Sequence, residues 1–320
     1  MIDEKILKDG LGKTLNDPLL KGYGEPQKGK VRNSYIKDGV RYIVTSDRIS
    51  AFDRILGTIP FKGQVLNYMA AFWFNETKDI VPNHLISTPD PAVMKVMDCE
   101  PMPVEMVVRA YITGSTSTSI WTHYQNGSRN FCGNALPEGL KKHQKLEKPI
   151  LTPSTKAEQG DHDVSVSKEE LLAMGRISEE DFDTMAKMSL DLFNAGSELC
   201  RKNGLILVDT KYEFGRTKEG QIVVIDEIHT PDSSRFWQAD TYDQNFSEGN
   251  DPKGLDKEYV RTWLKNERNF TGDGDIPQIP DEIKIEAARR YIETAKQVTG
   301  QDFIPNQEEP NSRLEKNMAI

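Results

Sequence analysis

Three charged residues interrupt the apolar run Leu205-Ile-Leu-Val-Asp-Thr-Lys-Tyr-Glu-Phe-Gly215 at every second position. Successive side chains of a β-strand point to opposite faces, so Asp209, Lys211 and Glu213 share one face. The apolar and aromatic residues between them share the other face. The sequence therefore predicts a core strand that carries a row of charges along one side.

A second extended segment follows one short turn later. The turn at residues 215–220 leads into Gln221-Ile-Val-Val-Ile-Asp226, and a hairpin here brings Asp226 beside the charge row. Unpaired buried charge is costly, so the row requires a cation, an anionic ligand or internal pairing. Mg²⁺ binds carboxylate oxygens together with nucleotide phosphates, which makes Glu213 and Asp226 candidate ligands. The alternative is a structural ion pair between Lys211 and its neighbours.

The composition is that of a globular protein. The chain has 320 residues, 37% of them hydrophobic, with a formal net charge of −9, which argues against general nucleic-acid or anionic-membrane binding. The cysteines at 99, 132 and 200 form no CxxC pair, which favours reduced thiols. The N-terminus lacks the pattern of a secretory signal and no apolar run is long enough to span a bilayer, so we expect a cytoplasmic location.

The first part of the chain is rich in strands. Residues 31–37 and 40–45 flank the turn Asp38-Gly39 and predict a hairpin. Apolar residues at helical spacing predict a helix over 61–77, and a further strand is expected over 103–109.

The second part is richer in helices. Ser167 and Ser178 are each followed by acidic residues and apolar periodicity, which predicts two helix starts. The second helix ends at Asn203-Gly204. A later helix is expected to be capped by Asp281 and ended by Gly300.

These elements indicate an α+β fold and not a regular βα array. Residues 125–165 show little periodicity, which predicts either a long ordered loop over a site or a mobile lid. We expect a β-rich domain over residues 1–105 and a larger α/β domain over 106–320. The C-terminal tail is polar and carries no motif.

Two basic residues lie in a strand near the start of the chain. Lys28-Gly-Lys-Val-Arg-Asn-Ser-Tyr35 places Lys30 and Arg32 on one face, on either side of Val31, where two cations can meet a triphosphate. A solvated strand edge is the alternative. The chain has no GxxxxGK[ST] loop, so a nucleotide site would lie between a β-rich lobe and a second lobe.

Two further segments combine arginine with small polar residues. Arg109 ends an apolar strand and precedes a Gly-Ser element around Ser115, which can open a helix whose free N–H groups bind phosphate or carboxylate. An ordinary serine cap is the alternative. Thr45-Ser-Asp-Arg-Ile-Ser-Ala-Phe-Asp53 offers donors and acceptors for a zwitterionic or polyhydroxylated ligand, as an ordinary surface turn also would.

Charged residues also follow in the long loop and after the hairpin. Lys156 can close on phosphates, and the acid-flanked His162 can titrate near neutral pH. Thr230-Pro-Asp-Ser-Ser-Arg-Phe-Trp237 comes directly after the hairpin, so Asp232 and Arg235 are expected near the carboxylates.

Six segments in the same order closely resemble the SAICAR synthetase (phosphoribosylaminoimidazole-succinocarboxamide synthase) family over roughly residues 20–265. They are GKVRNSY, SDRISAFD, PVEMVVRAYITGS, TPSTKAE, DTKYEFG and DEIHTPDSSRFW. Asn33 departs from the aspartate expected after Arg32.

The resemblance implies a two-lobed fold, with an antiparallel sheet in a β-rich N-terminal lobe, an α/β C-terminal lobe and an ATP cleft between them. It implies ATP-dependent condensation of a carboxyaminoimidazole ribonucleotide (CAIR) with L-aspartate in purine biosynthesis, giving an amide (SAICAR), ADP and phosphate. An acyl phosphate would supply the leaving group that a carboxylate lacks. Such catalysis needs alignment and charge neutralisation, which Mg²⁺, lysines and arginines provide.

The resemblance also implies residue roles. Those on the ATP side are Lys30, Val31, Arg32, Lys156, Glu213 and Asp226, with Glu213 and Asp226 also binding Mg²⁺. Those on the CAIR or aspartate side are Arg109, Ser115, Asp47, Ser50, Asp53, Asp232, Arg235 and Arg261. The catalytic set between the two sides is Lys211, Asp209 and Arg235.

Two other functions fit the same residue types. A small-molecule kinase would form a phosphorylated product without aspartate, and a nucleotide-sensing module would bind Mg-ATP without releasing phosphate. The sequence leaves oligomeric state, substrate order and the aspartate pocket open.

Overall fold

A computed structural model describes residues 2–52, 54–116, 118–156, 164–255 and 258–319. Asp53 and His162, both predicted to carry function, lie outside the described residues.

The chain alternates short strands with helices. The strands are β1 (Gln27–Lys28), β2 (Arg32–Lys37), β3 (Val40–Thr45), β4 (Arg48–Ala51), β5 (Arg54–Thr58), β6 (Leu85–Asp90), β7 (Val93–Met97), β8 (Glu100–Tyr111), β9 (Asn130–Phe131), β10 (Asn134–Ala135), β11 (Lys145–Leu151), β12 (Ser154–Thr155), β13 (Leu205–Arg216), β14 (Ile222–Ile225) and β15 (Ser234–Gln238). The helices are α1 (Glu4–Gly10), α2 (Lys62–Glu76), α3 (Ile120–Gln125), α4 (Lys168–Ala173), α5 (Glu179–Lys202), α6 (Ala239–Glu248), α7 (Glu258–Arg268), α8 (Asp281–Thr299) and α9 (Pro310–Asn317).

The N-terminal sheet is antiparallel, with strand order β1-β2-β3-β7-β6. The predicted hairpin is confirmed: β2 pairs with β3 from Arg32 opposite Thr45 to Lys37 opposite Val40. The turn residues Asp38 and Gly39 both adopt positive φ, 54° and 74°, which a tight hairpin turn requires.

The larger sheet is built around β13. It has strand order β11-β8-β13-β14, with β12 also paired to β8 and β15 to β13, all antiparallel. This α+β arrangement with antiparallel sheets is the predicted fold class. β8 runs without a break through residues 105 and 106 and pairs with β13 on both sides of this point. The domain boundary placed there stays a prediction.

Helix α5 packs against several strands of the larger sheet. Ser167 forms a full capping box with Glu170, and the Ser178 side chain accepts from the Asp181 N–H, so both predicted helix starts are confirmed. α5 then packs against β13, and the buried core formed there continues through β8 to α2 and α8. Gly204, at φ 72°, follows α5 where the left-handed stop was expected.

Two local predictions were wrong. Residues 125–165 are not a loop without regular structure, because β11 extends the larger sheet beyond β8. Asp281 does not cap α8, because it is the first helical residue; Pro280 occupies the N-cap position and provides no side-chain hydrogen bond. The structure also shows how the C-terminal tail, whose role the sequence left open, is held: the Arg313 guanidinium in α9 pairs with the Asp90 carboxylate at 2.9 Å, and both side chains are buried.

No helix within the described ranges is long and apolar enough to cross a membrane.

Candidate active site

The charge row lies on β13 where this strand pairs with β8 and β14. Glu213 is opposite Glu105 on one side and Ile225 on the other, so the hairpin delivers the next residue, Asp226, to the row. The Lys211 ammonium contacts Glu213 and lies 3.3 Å from Glu105 and 3.8 Å from Asp226. The predicted convergence of Glu213 and Asp226 on one side of the sheet is confirmed.

Burial and charge act against each other at this row. Burial opposes the charge on Lys211, but attraction by Glu213, Glu105 and Asp226 outweighs it and raises the pKa of the ammonium well above its ordinary value. Burial also opposes charge on Glu213, yet Lys211 and Lys156 hold the pKa of its carboxyl well below the usual range. The ionised Glu213 carboxylate disfavours a second negative charge on Asp226. Burial raises the pKa of Asp226 to about 6, although Arg32 and Lys211 favour its ionised form.

Two cations from distant parts of the sequence complete this side of the site. Lys156, just after β12, donates to the second oxygen of Glu213 at 2.5 Å. Arg32, at the start of β2, donates to Asp226 at 3.1 Å and pairs with Glu227. The structure therefore brings together four of the residues predicted for the ATP side.

A second charged cluster lies further along β13. Arg109 from β8 and Arg235 from β15 are both opposite Asp209 in register. Their guanidinium groups donate to the same Asp209 oxygen at 3.3 and 3.0 Å, and Arg109 also donates to the Thr152 hydroxyl at 2.9 Å. Burial lowers the pKa of Arg109, and Asp209 only partly offsets this. Two arginines on one carboxylate leave net positive charge, which favours an anion.

Ser115 is placed differently from the prediction. The helix after Arg109 is opened by Ser119, whose side chain accepts from the Thr122 N–H, so the Gly-Ser element does not itself start the helix. Ser115 is exposed in the loop between β8 and α3. Gly114 makes a close approach there, because a Cβ added to it would lie 2.4 Å from the Ser119 Cβ.

The Asp47 side chain links two backbone segments by hydrogen bonds. Its carboxylate oxygens accept from the Leu15 N–H at 2.7 Å and from the Gly63 N–H at 2.8 Å, with the side chain buried. Burial raises the pKa of this carboxyl to about 6 against the effect of these two donors. Its assignment to a substrate stays a prediction.

Four other predicted residues have more varied positions. Val31 accepts at its carbonyl from the Ser46 N–H and hydroxyl, at 2.9 and 2.7 Å. Lys30 is exposed beside it in the bend before β2 and not on the predicted strand, which begins at Arg32. Ser50 is half-buried in β4. Arg261 of α7 lies over the Phe52 ring at 5.7 Å, which places it near the β4–β5 hairpin and not in either cluster.

Comparison with known proteins shows which family the chain is similar to. The family model described as SAICAR synthetase matches residues 25–275. The chain is 49% identical over 282 residues to the phosphoribosylaminoimidazole-succinocarboxamide synthase of Legionella pneumophila (strain Lens), covering 88% of this chain and 90% of that one. The chain belongs to the SAICAR synthetase family.

Other members agree in sequence and in fold. The chloroplastic phosphoribosylaminoimidazole-succinocarboxamide synthase of Arabidopsis thaliana is 47% identical over 98% of this chain and 77% of its own length. The SAICAR synthase of Saccharomyces cerevisiae, solved as a complex with SAICAR, superposes with a TM-score of 0.77 at 29% identity, covering 90% of this chain and 99% of that one. The predicted family and fold are confirmed.

The charge row fits Mg²⁺ in the chemistry of its side chains. No group of three or more His, Cys, Asp or Glu side chains in the described ranges could hold a metal by itself. Two carboxylates, Glu213 and Asp226, offer oxygen ligands, and Mg²⁺ commonly takes the remaining ones from phosphates and water. Among the described residues the buried Arg32 Nε also finds no hydrogen-bond acceptor, consistent with a ligand that brings one.

Sequence reasoning missed three charged residues at the site. Glu105 and Glu227 pair with Lys211 and Arg32, and Lys62 pairs with Asp232 at 2.7 Å. Glu105 alternates with apolar residues on β8, which was a usable signal. Lys62 also had a usable signal, because it is a lysine at the first position of a helix, where the helix dipole disfavours a cation.

Proposed function

We propose that the charge row on β13 and the arginine pair beside it are the two halves of the ligase site of this chain. The family reaction joins CAIR to L-aspartate in purine biosynthesis. It needs one place that neutralises transferring phosphoryl oxygens and another that holds the anionic imidazole nucleotide. The carboxylates and cations of the row suit the first task, and the arginine pair suits the second.

The ATP side of the proposal is carried by residues around the row. Lys156 and Arg32 each hold a carboxylate of the row within hydrogen-bond distance, and both can transfer donors to phosphate oxygens when nucleotide binds. Lys30 and Val31 lie in the bend between β1 and β2, directly before Arg32. Glu213 and Asp226 would hold Mg²⁺, which supplies positive charge to the phosphates when bound.

The substrate side is carried by the cluster around Asp209. Arg109 and Arg235 present guanidinium groups that suit a phosphate or carboxylate, and Ser115 lies in the loop that follows the strand of Arg109. We propose that these residues bind the CAIR phosphate or carboxylate. Ser50, Arg261, Asp47 and Asp53 are proposed at its edge, Asp53 from the resemblance alone.

Lys211 lies between the two sides on the same strand face, two residues from Asp209 and two from Glu213. A carboxylate resists attack by an amine because it has no good leaving group. In the proposed reaction a CAIR carboxylate oxygen attacks the γ-phosphorus, ADP leaves, and the acyl phosphate is then attacked by the aspartate amine with loss of phosphate. Lys211 is placed to balance negative charge on the transferring group, and no covalent enzyme intermediate is required.

We further propose that the chain works on small molecules in the cytoplasm. Cys99, Cys132 and Cys200 are free thiols, as expected in a reducing compartment. The net charge of −9 disfavours nucleic acid as a partner.

The observation that carries the proposal is the single ammonium, Lys211, shared by Glu213, Glu105 and Asp226. The test is mass spectrometry of the product formed from CAIR, aspartate and ATP, with ADP release measured in parallel. We expect SAICAR from the wild-type protein, no ligation when aspartate is omitted, and a loss of about 100-fold or more in Lys211→Met. Phosphorylated product without aspartate, or wild-type turnover in Lys211→Met, would contradict the proposal.

A further inference from the structure

Lys62 occupies a position that is unfavourable for a lysine in two ways. It is the first residue of α2, where the helix dipole opposes a positive charge, and its side chain is 0% exposed. Phe61 before it adopts a positive φ of 62°, an unusual conformation for an aromatic residue. A buried cation here requires a specific partner.

That partner is Asp232, in the segment between the carboxylate row and the arginine pair. The Lys62 ammonium pairs with one Asp232 oxygen at 2.7 Å, and the Tyr291 hydroxyl of α8 donates to the other at 2.7 Å. The same ammonium lies 5.4 Å from the centre of the Tyr291 ring. One carboxylate thus ties the segment to two helices.

The backbone at Lys62 has little freedom to move. A Cβ added to Gly63 would lie 2.3 Å from the Thr45 carbonyl oxygen, and the Gly63 N–H donates to Asp47. The start of α2 is therefore packed directly on the end of β3. The backbone position of Lys62 is therefore held in place, and its ion pair with Asp232 restrains the position of that carboxylate.

The segment that carries Asp232 connects the two halves of the proposed site. It begins at Glu227, which pairs with Arg32 and accepts from the Thr230 hydroxyl at 2.7 Å. It ends at Arg235, whose guanidinium donates to Asp209. A shift of this segment would change the separation between the nucleotide side and the arginine pair.

We propose that Lys62 is a positioning residue for the ligation. Through Asp232 it fixes the segment 227–235, and so sets where Arg235 meets the anionic group of the imidazole nucleotide. This inference rests on the proposed function. It assigns to Lys62 a larger effect on the imidazole nucleotide than on ATP. Arg235 belongs to this segment, whereas Lys156 lies outside it and Arg32 keeps its hydrogen bond to Asp226, which precedes the segment.

The test compares kinetic constants in Lys62→Met, which keeps an unbranched side chain shorter by one atom and removes its charge. We expect kcat/KM for CAIR to fall about 100-fold, the cost of a misplacement of about 1 Å, with the KM for ATP within about threefold of wild type. Wild-type turnover measured in the same assay tests the proposed function separately. The inference would be overturned if the KM for ATP rose as much as the KM for CAIR. It would also be overturned if a folded Lys62→Met variant kept the wild-type kcat/KM for CAIR.

A second variant and a matched control keep the test decisive if Lys62→Met does not fold. Tyr291→Phe removes one hydrogen bond to Asp232 and is expected to raise the KM for CAIR about tenfold with little change for ATP. Arg313→Met breaks an equally buried ion pair, with Asp90, and is expected to lower the melting temperature without changing the KM for CAIR. An unchanged KM for CAIR in Tyr291→Phe, or the same kinetic loss in Arg313→Met, would show that the effect of Lys62 is on stability alone.

Discussion

The two carboxylates proposed to bind Mg²⁺ should have opposite effects on the stability of the ligand-free protein. Both contact Lys211, and their side chains are 13% exposed for Glu213 and 23% for Asp226. Burial raises the pKa of Asp226, whereas Lys211 and Lys156 outweigh burial and lower that of Glu213. Asp226→Asn and Glu213→Gln therefore test whether the row is built for a ligand or for packing.

The size of the Asp226 effect follows from its pKa. The value moves from 3.8 to about 6, which is about two units or ~3 kcal/mol as an upper figure. Because the folded value is the higher one, the stability that this proton provides is fully present below pH 3.8 and is lost as the pH rises through about 6. At about pH 8 the ionised carboxylate opposes folding, so Asp226→Asn is expected to be more stable than wild type by ~2–3 kcal/mol.

The Glu213 effect has the opposite sign. Its folded pKa lies below the ordinary 4.5, so it stabilises the fold above that pH and loses this effect as the pH falls through the folded value. At about pH 8, Glu213→Gln leaves Lys211 and Lys156 short of a partner and should cost ~3 kcal/mol.

Urea denaturation without nucleotide or divalent ion, at about pH 8 and about pH 4, measures both effects. The gain in Asp226→Asn should vanish at the lower pH. Both variants should lose ligation about 100-fold or more, because each lacks a proposed metal ligand. A less stable Asp226→Asn at about pH 8, or a gain that persists unchanged at about pH 4, would refute the reasoning.

Two further predictions concern parts of the fold away from the row. Arg313→Met leaves the Asp90 carboxylate, 0% exposed in its side chain, without its cation, and should lower the free energy of unfolding by ~3–5 kcal/mol in urea denaturation; a loss under ~1 kcal/mol would mean that α9 is not anchored through this pair. Gly196→Ala would place a Cβ 2.3 Å from the His229 ring, and a loss of ~1–3 kcal/mol is expected in thermal unfolding. An unchanged melting temperature in Gly196→Ala would contradict that close approach.

Several features of the fold could be predicted from residues that are close together in the sequence. The alternation of charged and apolar residues along β13 predicted which side chains share a face, and the structure has Lys211 and Glu213 in contact there. Ser167 and Ser178 cap helices, and Gly300 ends α8 at φ 70°. Each of these depends on residues a few positions apart.

The departure at Asn33 shows how far such reading extends. Asn33 is fully buried, accepts from Arg48 at 2.8 Å and donates to Asp17 at 3.2 Å. Arg48 and Asp17 are 3.9 Å apart. An amide can bridge a cation and an anion in this way, so the position keeps a hydrogen-bonding role although it carries no charge. The sequence predicted a local change of contact but not the partner.

Periodicity, turns, two helix caps and the family could therefore be inferred from the amino-acid sequence, because these depend on neighbouring residues or on the order of motifs. The pairing of Lys62 with Asp232, of Arg313 with Asp90 and of two arginines with Asp209 arose only when the chain had folded. Partners of buried charge are selected by the position of whole strands and helices, and positions 170 or 223 residues apart in the chain carry no local signal of contact.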